Sequence, residues 1–358
     1  MISTSRFIEA CWGRPHDKVP VWFMRQAGRY QDGYRKLRQQ YSFLEMAHNP
    51  DICTEVSCRP VEELGVDAAI LFSDIMIPLG PMGVDFEIRE HFGPVIAHPV
   101  RTGRDLKQLR VLEPEDDLPE VFEAIEKICD RLGTIPLIGF AGAPFTLASY
   151  LIEGGPSKNY LHTKRLMWEQ PEVWRQLMDV LADATVRHLS AQVRHGAQAV
   201  QVFDSWIGAL PVDDYRKYVM PSMRAVFAKL NALQVPTIYF GTGTASLLHA
   251  MKETGPTVLG VDWRTPIRQA RSTVGSEVTL QGNLDPMTLV CEWDIVKEHS
   301  TAILQDMLGD PAFIFNLGHG VPPEAHPDNL KRLVEWVHQF PGTPASQEVA
   351  DRAKGASL

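Results

Sequence analysis

Eight short runs of apolar residues punctuate the chain, at 19–24, 68–72, 135–140, 199–203, 236–240, 258–261, 278–280 and 313–316. Each is rich in Val, Ile, Leu or Phe with little polar alternation, the pattern of strands buried on both faces. Several of the intervals carry apolar residues at helical spacing. Residues 118–132 form one such segment, and within 171–196 the residues Leu177, Leu181, Ala184 and His188 recur on one face. Doubly buried strands alternating with helices predict a parallel sheet, and eight repeats of the unit predict an α/β fold of the (β/α)8 TIM-type barrel class. An open doubly wound sheet is the architectural alternative.

Nearly every run ends in polar residues or glycine. In order the ends are Arg25, then Ser73 and Asp74, Gly142-Ala143-Pro144, Asp204 and Ser205, Gly241 and Thr242, Asp262-Trp263-Arg264, Gly282-Asn283-Leu284-Asp285, and Gly318-His319-Gly320. A barrel of this class places its active site at the C-terminal ends of the strands, so these residues are expected to converge on one mouth. One insertion breaks the rhythm after the second run: apolar-alternating residues at 84–88 and 95–98 predict a β-hairpin beside that mouth. Residues 1–340 therefore read as a single barrel domain with a short N-terminal lead-in. The tail at 341–358, rich in Pro, Ala, Ser and charge, is expected to be disordered. No domain linker or longer internal repeat interrupts the pattern.

Charge sharpens this picture at one place. The 358-residue chain has a formal net charge of −9, yet five basic residues lie between Arg25 and Arg38, with Asp32 the single acid among them. Such a patch holds a ligand with several carboxylates or phosphates that the average surface repels. Gly28, between Arg25 and Arg29, permits a sharp turn or a close backbone approach. A solvated helix face with ordinary surface arginines is the alternative. No extended basic stripe points to nucleic acid. The five cysteines form no CxxC pair, which suits a reduced, cytoplasmic setting. No run of about eighteen apolar residues predicts a membrane span.

Candidate chemistry is sparse elsewhere. There is no GxxxxGK[ST] loop, and Gly241-Thr242-Gly243-Thr244 lacks the third glycine of a dinucleotide fingerprint, so no nucleotide cofactor is expected. Without HExxH or zinc-spaced Cys and His pairs, no metal is expected either. The glycines flanking His319 read as backbone that makes room for a ligand. Asp74, after a wholly apolar strand, puts a carboxylate at a low-dielectric rim, although a helix N-cap would use the same residue. Tyr150 falls on a short apolar helix preceded by a glycine-proline turn, where it could equally pack between helices. Ser205 can be a plain loop hydroxyl and Asp204 a cap for the next helix.

The stretches Pro20-Val21-Trp22-Phe23-Met24-Arg25-Gln26-Ala27-Gly28-Arg29-Tyr30 and 139–155 resemble two motifs of the uroporphyrinogen decarboxylase family. Phe72-Ser73-Asp74-Ile75, Phe203-Asp204-Ser205 and Asn316-Leu317-Gly318-His319-Gly320 extend the likeness over about residues 20–340. The resemblance implies a cytoplasmic homodimer that uses no metal or organic cofactor. It also implies an enzyme that converts uroporphyrinogen III to coproporphyrinogen III by taking carbon dioxide from four acetate side chains. It further implies that Arg25, Gln26, Ala27, Gly28, Arg29, Arg38, Asp74, Tyr150, Ser205 and His319 bind substrate, with Asp74 and Arg25 catalytic. A protonated pyrrole can accept the electrons released with carbon dioxide, so the substrate supplies its own sink, with Asp74 stabilising the cation. Arg25, His319, a substrate carboxyl and water remain candidates for proton delivery. A zinc-thiol methyltransferase on a related barrel, and a porphyrin carrier without chemistry, are the competing readings.

Overall fold

A computed structural model of the chain describes residues 5–89 and 93–340. The expected tail at 341–358 lies outside the described residues. Seven strands form a curled parallel sheet: β1 (Ala69–Ile70), β4 (Leu137–Gly142), β5 (Ala199–Asp204), β6 (Thr237–Gly241), β7 (Val258–Gly260), β8 (Thr279–Leu284) and β9 (Phe313–Leu317), hydrogen-bonded in that order. Every residue of β4, β6, β8 and β9 is buried, which is why the sequence runs are apolar without alternation. The remaining two strands, β2 (Phe86–Arg89) and β3 (Gly93–Ile96), make the expected antiparallel hairpin, pairing Phe86 with Ile96. Ile96 N donates to Gly154 O, so the hairpin lies beside the helix Pro144–Glu153.

The first apolar run is not a regular strand. Only Val21 pairs, as an isolated parallel bridge to Phe315. The reason lies in where its backbone groups go. Val21 N donates to the Asp67 carboxylate at 2.7 Å, Phe23 N to the Gln26 side chain at 3.1 Å and Met24 N to the Asn316 side chain at 3.1 Å. Side chains thus occupy donors that a neighbouring strand would have taken. Backbone bonds still flank the segment on both sides, from Asp67 N to Val21 O and from Phe315 N to Pro20 O.

Helices cover the sheet as their periodicity predicts. Leu177, Leu181, Ala184 and His188 are all buried on the 24-residue helix Pro171–Arg194, which packs against the helices Pro144–Glu153 and Met220–Asn231. Pro residues open most of these helices, where the missing N–H is no loss. Inside the sheet, Trp22 Nε1 donates to Gln281 at 2.9 Å and Gln281 to Gln201 at 3.1 Å, a buried polar relay. Elsewhere Asp67 ties together Arg6, the Val21 segment and His338 on the C-terminal helix Pro327–Gln339. All five cysteines are free thiols, three of them buried. Among the described residues no helix is long and apolar enough to cross a membrane.

Candidate active site

The turn after Met24 is built to project Arg25. This arginine takes a left-handed backbone with φ +58°, one of three non-glycine residues that do so among those described. Such a conformation is unfavourable for a side-chain-bearing residue and persists only where neighbours enforce it. Gln26 does much of the enforcing. Its fully buried amide accepts from Phe23 N and donates to Ala68 O at 3.0 Å, while its carbonyl accepts from the Tyr30 hydroxyl at 2.6 Å. The Gln26 side chain therefore faces the fold, and Ala27 packs half-buried against the core. Gly28 closes the turn, its N–H meeting Gln31 Oε1 at 3.3 Å.

Arg25 crosses Gly320, where an added Cβ would lie 2.4 Å from Arg25 Cδ. At Gly318 an added Cβ would lie 2.2 Å from Trp263 N. The glycines on either side of His319 thus make room for protein, which corrects the expectation that they make room for ligand. The imidazole is pushed down to about 4 by burial and then by the cations of Arg25 and Arg264, with Asp262 opposing. It is neutral near pH 7 and offers one donor and one acceptor.

The basic patch divides. Arg35 pairs with Asp32 and donates to the carbonyls of Arg29 and Tyr30 at 2.8 and 2.9 Å, so it holds the turn. Arg38 donates to Tyr41 O at 2.7 Å. Among the described residues neither Arg25, Arg29 nor Arg38 has a carboxylate within 4.0 Å. Burial raises the Tyr34 hydroxyl, and the cations of Arg38, Arg29 and Arg25 oppose that shift, so these arginines gather about one buried tyrosine. Tyr34 in turn meets Phe72 edge-on, 5.8 Å between ring centroids, two residues before Asp74. No sequence signal marks Tyr34, which sits within a polar helix, Asp32–Gln40.

Asp74 follows β1 in a loop anchored by Phe72, whose N–H meets Ser57 Oγ at 2.9 Å and whose carbonyl accepts from Cys53. Desolvation raises its carboxyl above the ordinary carboxylate value, opposed by a hydrogen bond from Met76 N and by the Arg25 cation. The 2.8 Å contact with Met76 N precedes a single 3-10 turn, Ile77–Leu79, so Asp74 does serve a local turn with one oxygen. Its other oxygen has no partner among the described residues. Tyr150 feels the same charges: burial and Asp74 push its hydroxyl well up while Arg25 opposes, leaving a neutral donor. Asp74, Arg25, Tyr150 and His319 are thus brought together electrostatically.

Asp204 is not a helix cap. It is fully buried and accepts from Thr146 at 2.7 Å and Tyr239 at 2.8 Å, and burial pushes it up to about 6 against those bonds. Thr146 also accepts from Trp206 N at 3.3 Å, so this network fixes the turn that carries Ser205 and Trp206. Trp206 stacks on Tyr150 with centroids 3.9 Å apart, a contact the sequence did not disclose. Ser205, half-buried, lines a cavity of about 250 Å3 at the ends of β5 and β6. A larger groove of about 580 Å3 lies between the helices Pro171–Arg194 and Met220–Asn231, but none of its lining residues sits at a strand end. Among the described residues no group of three or more His, Cys, Asp or Glu is placed to hold a metal ion. Unpaired arginines, a desolvated carboxylate and neutral tyrosine and histidine donors can bind a polyanion while stabilising a cation at its centre.

A family model described as uroporphyrinogen decarboxylase (URO-D) matches residues 3–340. A Geobacillus kaustophilus protein named uroporphyrinogen decarboxylase is 49% identical over 337 residues, 94% of this chain and 97% of its own length. A Bacillus cereus protein of the same name is 47% identical over 334 residues, covering 93% of this chain and 96% of its own. Among solved structures, a methyltransferase from Methanosarcina mazei has a TM-score of 0.76 at 21% identity, covering 94% of this chain and 98% of its own, a likeness of fold.

Proposed function

The chain belongs to the uroporphyrinogen decarboxylase family and is a decarboxylase of porphyrin biosynthesis, and from that premise we propose how its residues act. The substrate is uroporphyrinogen III, whose four acetates become methyl groups while four propionates persist, giving coproporphyrinogen III. Arg25, Arg29 and Arg38 take peripheral carboxylates, Tyr150, Ser205 and His319 supply neutral polar contacts, and the backbone of Gln26 to Gly28 shapes the rim between the arginines. Asp74 accepts hydrogen bonds from the pyrrole N–H groups.

The chemistry originates in the pyrrole. A proton added to the ring carbon beside the acetate-bearing one leaves a cation conjugated to the acetate methylene. Breaking the bond to carbon dioxide sends its electron pair through the ring to nitrogen, and reprotonation of the exocyclic methylene with loss of the ring proton yields the methyl group. Asp74 stabilises the cation in a site with little competing solvation. His319, neutral in the free protein, serves better as hydrogen-bond partner than as acid. The single observation that carries this reading is the gathering of three carboxylate-free arginines about Tyr34, one of which, Arg25, acts on a desolvated Asp74, on a chain of net charge −9.

The same reading includes one domain over residues 1–340 and an eighth barrel position at Val21, supported by its bridge to Phe315 and the bond from Asp67 N. It also includes a homodimer in the cytoplasm working without cofactor. The test is incubation of purified protein with uroporphyrinogen III and separation of products by carboxyl number. Stepwise loss to the tetracarboxylate supports it; binding without any loss of carboxyl groups would leave a carrier.

A further inference from the structure

The cavity beside Ser205 is walled by Lys158, Tyr160, Lys164, Trp206, Thr242 and Arg264, and the substrate contacts proposed for the active site use none of these side chains. We propose that Lys158 and Lys164 form a second carboxylate subsite there, which holds a propionate of the macrocycle on the side away from the arginine patch. The inference rests on uroporphyrinogen being the substrate.

Three observations point to it. First, both lysines are free of carboxylates within 4.0 Å among the described residues, and Asp262, the acid nearest Arg264, is paired with that arginine. Asp262 holds Arg264 at 2.8 Å and Gly243 N at 2.6 Å, and Glu153 accepts from Thr163 N at 2.8 Å and Thr163 Oγ1 at 2.9 Å. Lys158 and Lys164 therefore bring two cations without an ion-pair partner to the cavity, against the one carboxylate, Glu153, that acts on Tyr160.

Second, the backbone is strained to shape this wall. Tyr160 adopts φ +55°, the same left-handed conformation as Arg25, with its N–H held by Ser157 Oγ at 3.0 Å. Strain of this kind in a non-glycine residue gathers where function requires a particular side-chain direction.

Third, the cavity adjoins the candidate active site at two points. Trp206 borders it and stacks on Tyr150, which senses Asp74; Arg264 borders it and contributes to the shift of His319. A carboxylate in the cavity is thus connected to the reacting region through Trp206 and Tyr150, while Asp74 is not among the residues lining the cavity. An acetate must lie close to the carbon that is protonated, whereas a propionate has one more methylene to reach outward. A macrocycle with carboxylates around its whole rim also needs cations on more than one side.

The experiment compares wild type with Lys158→Ala, Lys164→Ala, the double variant, the charge-conserving Lys164→Arg, and Lys331→Ala on a remote exposed surface as control. Steady-state constants are read for uroporphyrinogen III and for its heptacarboxylate and pentacarboxylate successors. Binding of coproporphyrin, which retains only propionates, is read by fluorescence titration. Half-buried Lys164 is expected to raise KM on the order of tenfold and exposed Lys158 about threefold, with kcat changed less than about twofold. Lys164→Arg should recover most of the loss, and added salt should shrink it. Because propionates persist through all four steps, the same factor is expected for every substrate and for coproporphyrin. An unchanged KM and coproporphyrin affinity in the double variant overturns the subsite, and so does a loss confined to substrates rich in acetate. If wild type decarboxylates nothing yet coproporphyrin binds more weakly to the double variant, the reaction assignment falls while the subsite stands.

Discussion

Asp74→Asn is the most direct test of the chemistry. The substitution keeps size and leaves an amide oxygen able to accept the 2.8 Å bond from Met76 N, so the loop has no reason to move. It removes a full negative charge from a desolvated position whose countercharge is Arg25. A carboxylate about 4 Å from a developing cation contributes roughly 4 kcal/mol at an effective dielectric near 20. An amide dipole retains a part of that, and removal of a comparable preorganised contact costs about 3 kcal/mol. Turnover of uroporphyrinogen III should therefore fall about a hundredfold, with affinity affected less.

The pH dependence carries an independent sign. Burial raises the Asp74 carboxyl above its ordinary value, so wild-type turnover should decline on the acid side as pH falls through that raised value. The Asn variant has no such group and should lose that limb. A planar uroporphyrin provides a second control: it keeps two central N–H groups and an aromatic ring that resists protonation, so it should bind without reacting. Carboxyl loss is followed by separating products at fixed times. Near-normal turnover by Asp74→Asn, or product from the oxidised macrocycle, would refute the assigned role.

Arg29→Ala and Arg38→Ala should each raise KM about tenfold with little change in kcat, whereas Arg25→Ala, beside Asp74 and Tyr150, should lower kcat as well; unchanged kinetics in all three would make the patch a solvated surface. His319, pushed down to about 4 in the free protein, should move up when uroporphyrin binds, because new carboxylates offset Arg25 and Arg264; an unmoved ring resonance in an NMR titration would place the ligand elsewhere. His188, buried against Phe122 and pushed down to about 4, is neutral in the fold. The unfolded chain binds its proton below about 6.5, so stability is lost as pH falls from there towards 4, by about 2 kcal/mol at pH 5. Asp204, raised to about 6, contributes in the opposite sense, so the measured quantity is the difference in urea midpoints between wild type and His188→Leu at pH 7 and pH 5. Parallel behaviour of the two proteins would contradict the shift.

The parts of this fold legible in sequence are those where one physical requirement acts on a contiguous stretch. Strands buried on both faces must be largely apolar, so β4, β5, β6 and β9 stand out, Gln201 in β5 and Asn316 in β9 being among the buried polar exceptions. Residues 278–280 mark only the start of β8, because Gln281 and Asn283 are polar yet buried, their bonds going to Trp22 and Gln201 and to the carbonyls of Asp262 and Thr265. The run at 19–24 misleads in the other direction: it has the composition of a strand, but Asp67, Gln26 and Asn316 take its N–H groups.

The site shows the same division. Arg25, Arg29 and Arg38 lie within one turn and its helix, so their cluster is visible as a charge anomaly. Asp204 looks like a cap from its neighbours in the chain, because the partners that define it, Tyr239 and Thr146, are 35 and 58 residues away. Trp206, Tyr34 and the lysine pair belong to no local pattern and enter only once the loops meet. Under the proposed function, that meeting is what lets a protein of negative mean charge hold a polyanion. The chain cannot raise its overall charge without drawing anions everywhere, so it collects a few cations from separate loops at one end of the sheet and leaves them without carboxylate partners. A substrate that supplies those carboxylates also offsets the cations that add to burial in keeping His319 neutral. Binding and the protonation state of the site are therefore linked through Arg25, which acts on Asp74, Tyr150 and His319 alike.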